Sequence, residues 1–206
     1  TPYLLFTSDF ADLSPFFEIT PLLFIFLIPA ISMRSFSEER STGTLELLIT
    51  KPLNPSEIYL GKFLGITMVI IITILPTTIN IFGLQTLLQP NSKLDIGNIF
   101  ASYLALILLS ILFLNISLCI SILFRNQVTS FLVAFLICFF QFFLWNFLAE
   151  ASSAPSTYRL ISDIGIQSHY LSLSNGIFRL EDLIYFLGIN IAIFILGIEL
   201  INKEQA

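Results

Sequence analysis

The chain has 206 residues, of which 56% are hydrophobic and only 11% charged. Soluble domains carry about a quarter charged residues, so this is the composition of an integral membrane protein. The formal charge of −5 comes from scattered groups, and the nine Lys and Arg form no basic stripe, which excludes a nucleic-acid surface.

The chain opens with Thr1-Pro2-Tyr3, neither an initiator Met nor a basic leader, so the numbering is expected to begin inside a longer protein. Residues Thr1 to Ser14 contain no Lys or Arg, and Pro15 opens a first apolar span, Phe16 to Met33, with Glu18 near its start. At 1.5 Å per residue such a run crosses about 30 Å of hydrocarbon. Pro29 removes a backbone donor and is expected to kink the span.

Residues 34–62 form a polar passage between two apolar runs, and hence a connection at the membrane surface. In helical form it places Ser35, Glu39, Thr42 and Glu46 on one side and Phe36, Gly43 and Leu47 on the other, an acidic amphipathic helix lying across the surface. A plain solvated loop is the alternative. Pro52 ends the element, and Asn54-Pro55-Ser56-Glu57 supplies an N-cap, a first-position Pro and a third-position Glu for the next helix.

The second span, Phe63 to Leu84, contains Pro76 among Thr73, Thr77 and Thr78, whose hydroxyls can bond carbonyls freed by the proline. A third span runs from Ile99 to Leu123, and after a turn at Phe124-Arg125-Asn126-Gln127 a Phe-rich fourth span covers Val128 to Leu148. Trp145 suits its interfacial end. The connection 150–182 shows helix-like spacing over Tyr158 to Leu173, predicting one interfacial amphipathic helix. Ser174-Asn175-Gly176 is a turn, Glu181-Asp182 can cap the last helix, and Leu183 to Ile201 is the fifth span.

Arg34, Arg40, Lys51, Lys62, Arg125 and Lys203 fall on one side, against Lys93, Arg159 and Arg179 on the other. The positive-inside rule then places residues 34–62 and the C-terminus in the cytoplasm.

His169 has no Cys, Asp or Glu at ligand spacing, and Cys119 and Cys138 sit inside apolar runs as small packing residues, so no metal site is expected. No GxxxxGK[ST] run exists to hold nucleotide phosphates, and no cofactor is expected in this chain. The polar residues within spans, Asn80, Asn115, Ser117, Ser121, Gln141 and Asn190, read as interhelical hydrogen-bond partners, with substrate contact as the alternative.

The run Phe36-Ser37-Glu38-Glu39-Arg40-Ser41-Thr42-Gly43-Thr44-Leu45-Glu46-Leu47-Leu48, with Lys51-Pro52 and Gly61-Lys62, resembles the segment after the second span of ABC-2 type transporter permeases. The resemblance implies an all-α, polytopic membrane bundle of the type V exporter kind. With six spans usual in that family, it also implies a sixth span upstream of the five visible ones. It makes Glu38, Glu39, Arg40, Thr42, Gly43, Thr44 and Glu46 a coupling helix for a cytoplasmic ATPase subunit that carries ATP and Mg. It further implies a second membrane subunit or a second copy of this chain.

Phe10 to Phe17, Phe26 to Ala30, Met33 to Phe36, His169-Tyr170, Ser174 to Gly176 and Asp182 to Phe186 look like the gliding-motility ABC permeases, the GldF family. That resemblance implies a bacterial inner-membrane permease with a GldA-like ATPase and a GldG-like membrane subunit as partners. Two other roles stay open: a non-transporting anchor that passes ATPase work to the cell envelope, and an exporter of drug, lipid or polysaccharide outside the gliding system.

Overall fold

In a computed structural model, residues 13–44, 54–81, 83, 96–152 and 154–205 are described. They are helical apart from short links, and five helices are long and apolar enough to cross a membrane. In chain order the elements are α1 (Ser14–Ser32), α2 (Arg34–Thr42), α3 (Pro55–Ile74, followed by a 3-10 turn over Leu75–Thr78), α4 (Ile96–Leu123), α5 (Gln127–Glu150), α6 (Pro155–Ser162), α7 (Ile166–Ser174) and α8 (Leu180–Gln205). The long helices start and stop within about four residues of the apolar runs, except that α3 starts at its Asn54-Pro55 cap, well before Phe63, and the expected end of the second span at Leu84 lies outside the described residues.

The bundle is built around α4. Every residue from Leu112 to Leu118 is buried, and a helix apolar on all sides belongs inside. In its apolar stretch 72% of residues are buried, against 17–44% in the other four long helices, whose outer faces carry exposed Leu, Ile and Phe. Helices α1, α2, α3, α5, α7 and α8 all pack on it. Phenylalanines one turn apart on α5, at 131, 135, 139 and 143, form a row, and Phe26 of α1 meets Phe131 edge-on at 5.3 Å.

The prolines act locally. α1 continues helical through Pro21 and Pro29 and ends at Met33, whose N–H donates to the Pro29 carbonyl at 2.9 Å. Pro21 has no N–H for the carbonyl four residues back, that of Phe17, and the Tyr170 hydroxyl donates to that oxygen at 2.6 Å. Burial pushes the Tyr170 phenol well above its ordinary pKa, which keeps it a donor. At Pro76 the helix tightens into the 3-10 turn, while Thr73 and Thr77 donate to the carbonyls of Val69 and Ile74.

The connection 150–182 departs from the expected single interfacial helix. It folds as α6 and α7, broken at Asp163 to Gly165, and α7 buries Ile166, Tyr170 and Leu173 in the bundle. Gly165 permits the break, because a Cβ there would lie 3.1 Å from that of Trp145. Asp182 likewise does more than sit in the first turn of α8. Its buried carboxylate meets His169 Nδ1 at 2.6 Å, and His169 stacks on Tyr185 at 3.9 Å. His169 Nε2 lies 2.8 Å from the Asp163 carbonyl, which only accepts, so the imidazole carries a proton on that nitrogen.

Candidate functional site

The site begins with a helix that cannot cap itself. α2 starts after Met33, which offers no side-chain oxygen, and the N–H groups of Phe36 and Ser37 at its start need acceptors. Ser121, buried on the central helix, accepts from both at 3.1 Å and donates to the Met33 carbonyl at 3.1 Å. One hydroxyl thus spends all three of its hydrogen-bonding capacities on the α1–α2 joint. The Arg40 guanidinium adds a bond to the Ile122 carbonyl beside it.

This docking pulls the first half of α2 into the bundle. Phe36 is fully buried and stacks on Tyr59 of α3, with ring centroids 6.3 Å apart and planes 18° apart. Lys62, one turn along α3, places its ammonium 4.2 Å over the Phe36 ring, donates to the Ser35 carbonyl and pairs with Glu39 at 2.5 Å. Phe36, which the helical spacing puts on the side away from Glu39, thus finds an aromatic socket in the bundle.

Tyr59 carries the network inward. Its hydroxyl donates to Asn115 Oδ1 at 3.3 Å, and Asn115 Nδ2 donates to Asn190 Oδ1 at 2.9 Å, linking α3, α4 and α8. The Tyr59 ring lies edge-on to Phe194, 5.0 Å away, and over Gly197, where a Cβ would come within 2.3 Å of it. Only glycine admits that approach of α8 to the phenol.

Of the other residues singled out in the sequence, Glu38 is exposed on α2. Thr42 and Thr44 donate to the carbonyls of Glu38 and Glu39 at 2.9 and 3.3 Å, and Gly43 ends the helix with φ +74°. Glu46 lies outside the described residues. Asn54 and Pro55 start α3 as expected, the Asn54 N–H donating to Glu57 at 3.0 Å. Asn80 is exposed and Gln141 half-buried, neither in this network.

The model for ABC-2 family transporter proteins matches residues 5–204. The chain belongs to the ABC-2 transporter family. No curated protein matches it. It is a multi-pass membrane subunit of an ABC-2 permease, and such permeases generally work with a cytoplasmic ATPase subunit and are not themselves catalytic. Within this ABC-2 subunit, sequence reasoning leaves Tyr59 and Gly197 unremarked and reads Ser121 only as a packing partner. The available signal is the turn-spaced pair Ser117 and Ser121 in a mostly apolar helix.

Proposed function

We propose that this chain is the permease half of an ATP-driven complex, with α2 and the residues after it as the element on which a cytoplasmic ATPase subunit acts. In this reading residues 34–62 and the C-terminus face the cytoplasm of a bacterial inner membrane. The observation that carries it is the Ser121 joint: α2 is bonded through its own backbone to the central helix. A displacement imposed on α2 is therefore passed to α4 directly, and to α3 and α8 through Lys62, Tyr59 and the asparagine pair.

Among the described acidic residues of α2, Glu38 faces outward, whereas Glu39 is engaged by Lys62. The gliding-motility reading, with GldA-like and GldG-like partners, rests on the sequence resemblance in residues 10–17, 26–30, 33–36, 169–170, 174–176 and 182–186.

Cross-linking tests this. Cys placed at Glu38, with Cys119 and Cys138 replaced, is expected in native membranes to give a nucleotide-sensitive adduct with a P-loop ATPase, identified by mass spectrometry. Labelling of that Cys solely from the outer side of the membrane overturns the orientation and the coupling role together. Substrate-stimulated ATPase activity of the complex separates a transporter from an anchor.

A further inference from the structure

At the end of the bundle opposite α2, helices α1, α5 and α7 enclose a cleft of about 310 Å³, within the range of small-ligand sites. Its polar groups are the Glu18 carboxylate and the Gln167 amide, and its aromatic walls are Phe142, Phe143 and Tyr170. Among the described residues neither Glu18 nor Gln167 has a hydrogen-bond or ion-pair partner, so both are available to a ligand. Tyr170 has committed its proton to the Phe17 carbonyl and, like Phe142, is buried, so the aromatic surface open to a ligand is that of the half-buried Phe143. Leu22, on the cleft wall, leads onto the exposed apolar surface of α1, and Phe139 and Phe140 continue the exposed surface of α5.

A carboxylate beside aromatic rings is a receptor for an ammonium group, through ion pairing and cation–π attraction together. An amide nearby donates to a phosphate oxygen. An apolar track leading away suits acyl chains. We infer that this cleft binds the headgroup of a zwitterionic phospholipid, its ammonium on Glu18 and the Phe143 ring and its phosphate on Gln167. An anionic headgroup lacks the ammonium and meets the Glu18 charge as a repulsion. The site uses none of the residues of the α2 joint and stands independently of the ATPase reading.

Trp145, the chain's single Trp, sits one turn beyond Phe142 and next to Gly165 in the link before α7, where it reports on the cleft. The test uses the whole protein in nanodiscs, titrated with phosphatidylethanolamine, phosphatidylcholine or phosphatidylglycerol bearing the same brominated acyl chains, with quenching of Trp145 as readout. Half-maximal quenching is expected at severalfold lower mole fraction for the two zwitterionic lipids than for phosphatidylglycerol, and Glu18→Gln is expected to bring the three together. Gln167→Ala gives a second arm from a different helix: it weakens the zwitterionic lipids and leaves phosphatidylglycerol unchanged. Equal quenching by all three lipids in the unmodified protein, or a preference that survives both substitutions, overturns the site.

Discussion

The two ends of the bundle are fastened with the same kit used differently. Each has a buried serine on α4, a buried tyrosine and a charge-bearing pair: Ser121, Tyr59 and Glu39–Lys62 at the α2 end, and Ser102, Tyr170 and His169–Asp182 at the α7 end. At the α7 end the hydroxyls donate to carbonyls, Ser102 to Ser174 at 2.7 Å and Tyr170 to Phe17. A carbonyl can take other donors, and α7 is a finished helix without these bonds. At the α2 end Ser121 accepts from two backbone N–H groups in the first turn of α2, so the start of that helix is capped from α4. The first arrangement holds an element in place, and the second makes two elements one.

Substitutions can break this contrast in order of size. Gly197→Ala drives a methyl into the Tyr59 ring, and overpacking of this kind costs about 1–3 kcal/mol. A clear drop in melting temperature in detergent is expected, while Gly188→Ala on the same helix, with nothing within 4 Å, leaves it unchanged. Equal melting of the two variants would mean α8 does not approach Tyr59 as described.

Ser121→Ala removes the cap shared by the buried Phe36 and Ser37 N–H groups at a loss of about 1–3 kcal/mol, and is expected to destabilise more than Ser102→Ala, which removes one shared donor worth about 1 kcal/mol. Hydrogen exchange at Phe36 and Ser37 should rise in the first variant alone. The reverse ranking would erase the distinction between the two ends.

Asn190→Leu removes the partner of Asn115 and is expected to cost about 0.6–2 kcal/mol in a denaturation titration. The smallest effect belongs to Glu39→Gln, since a pair whose carboxylate side chain is 33% exposed is screened by water and contributes within about 1 kcal/mol. A Glu39→Gln loss larger than that of Ser121→Ala would shift the joint from backbone capping to charge.

Local features are the ones legible in the sequence. The Asn54-Pro55-Ser56-Glu57 start of α3 follows from spacing alone, as do the apolar runs and the turn at Asn126, whose side chain accepts from the Val128 N–H at 2.9 Å. The Asn115–Asn190 bond is legible as a class and not as a pair, because either residue could face several helices. Gly43 reads as part of one face of a continuing helix, yet its positive φ ends α2; a glycine after Ser41-Thr42 carries that signal. Ser121 and Tyr170 are out of reach because each completes a bond begun far away, and residue types do not say where a distant partner will lie.

Those distances also set an order of events during synthesis. The Phe36 N–H waits 85 residues for its Ser121 acceptor, and the Phe17 carbonyl laid open by Pro21 waits 153 residues for Tyr170. When α1 and α2 leave the ribosome neither can reach its final form, and water or lipid headgroups must stand in at both places. α1 and α2 are thus provisional at birth, settled at one end by the arrival of α4 and at the other only by α7.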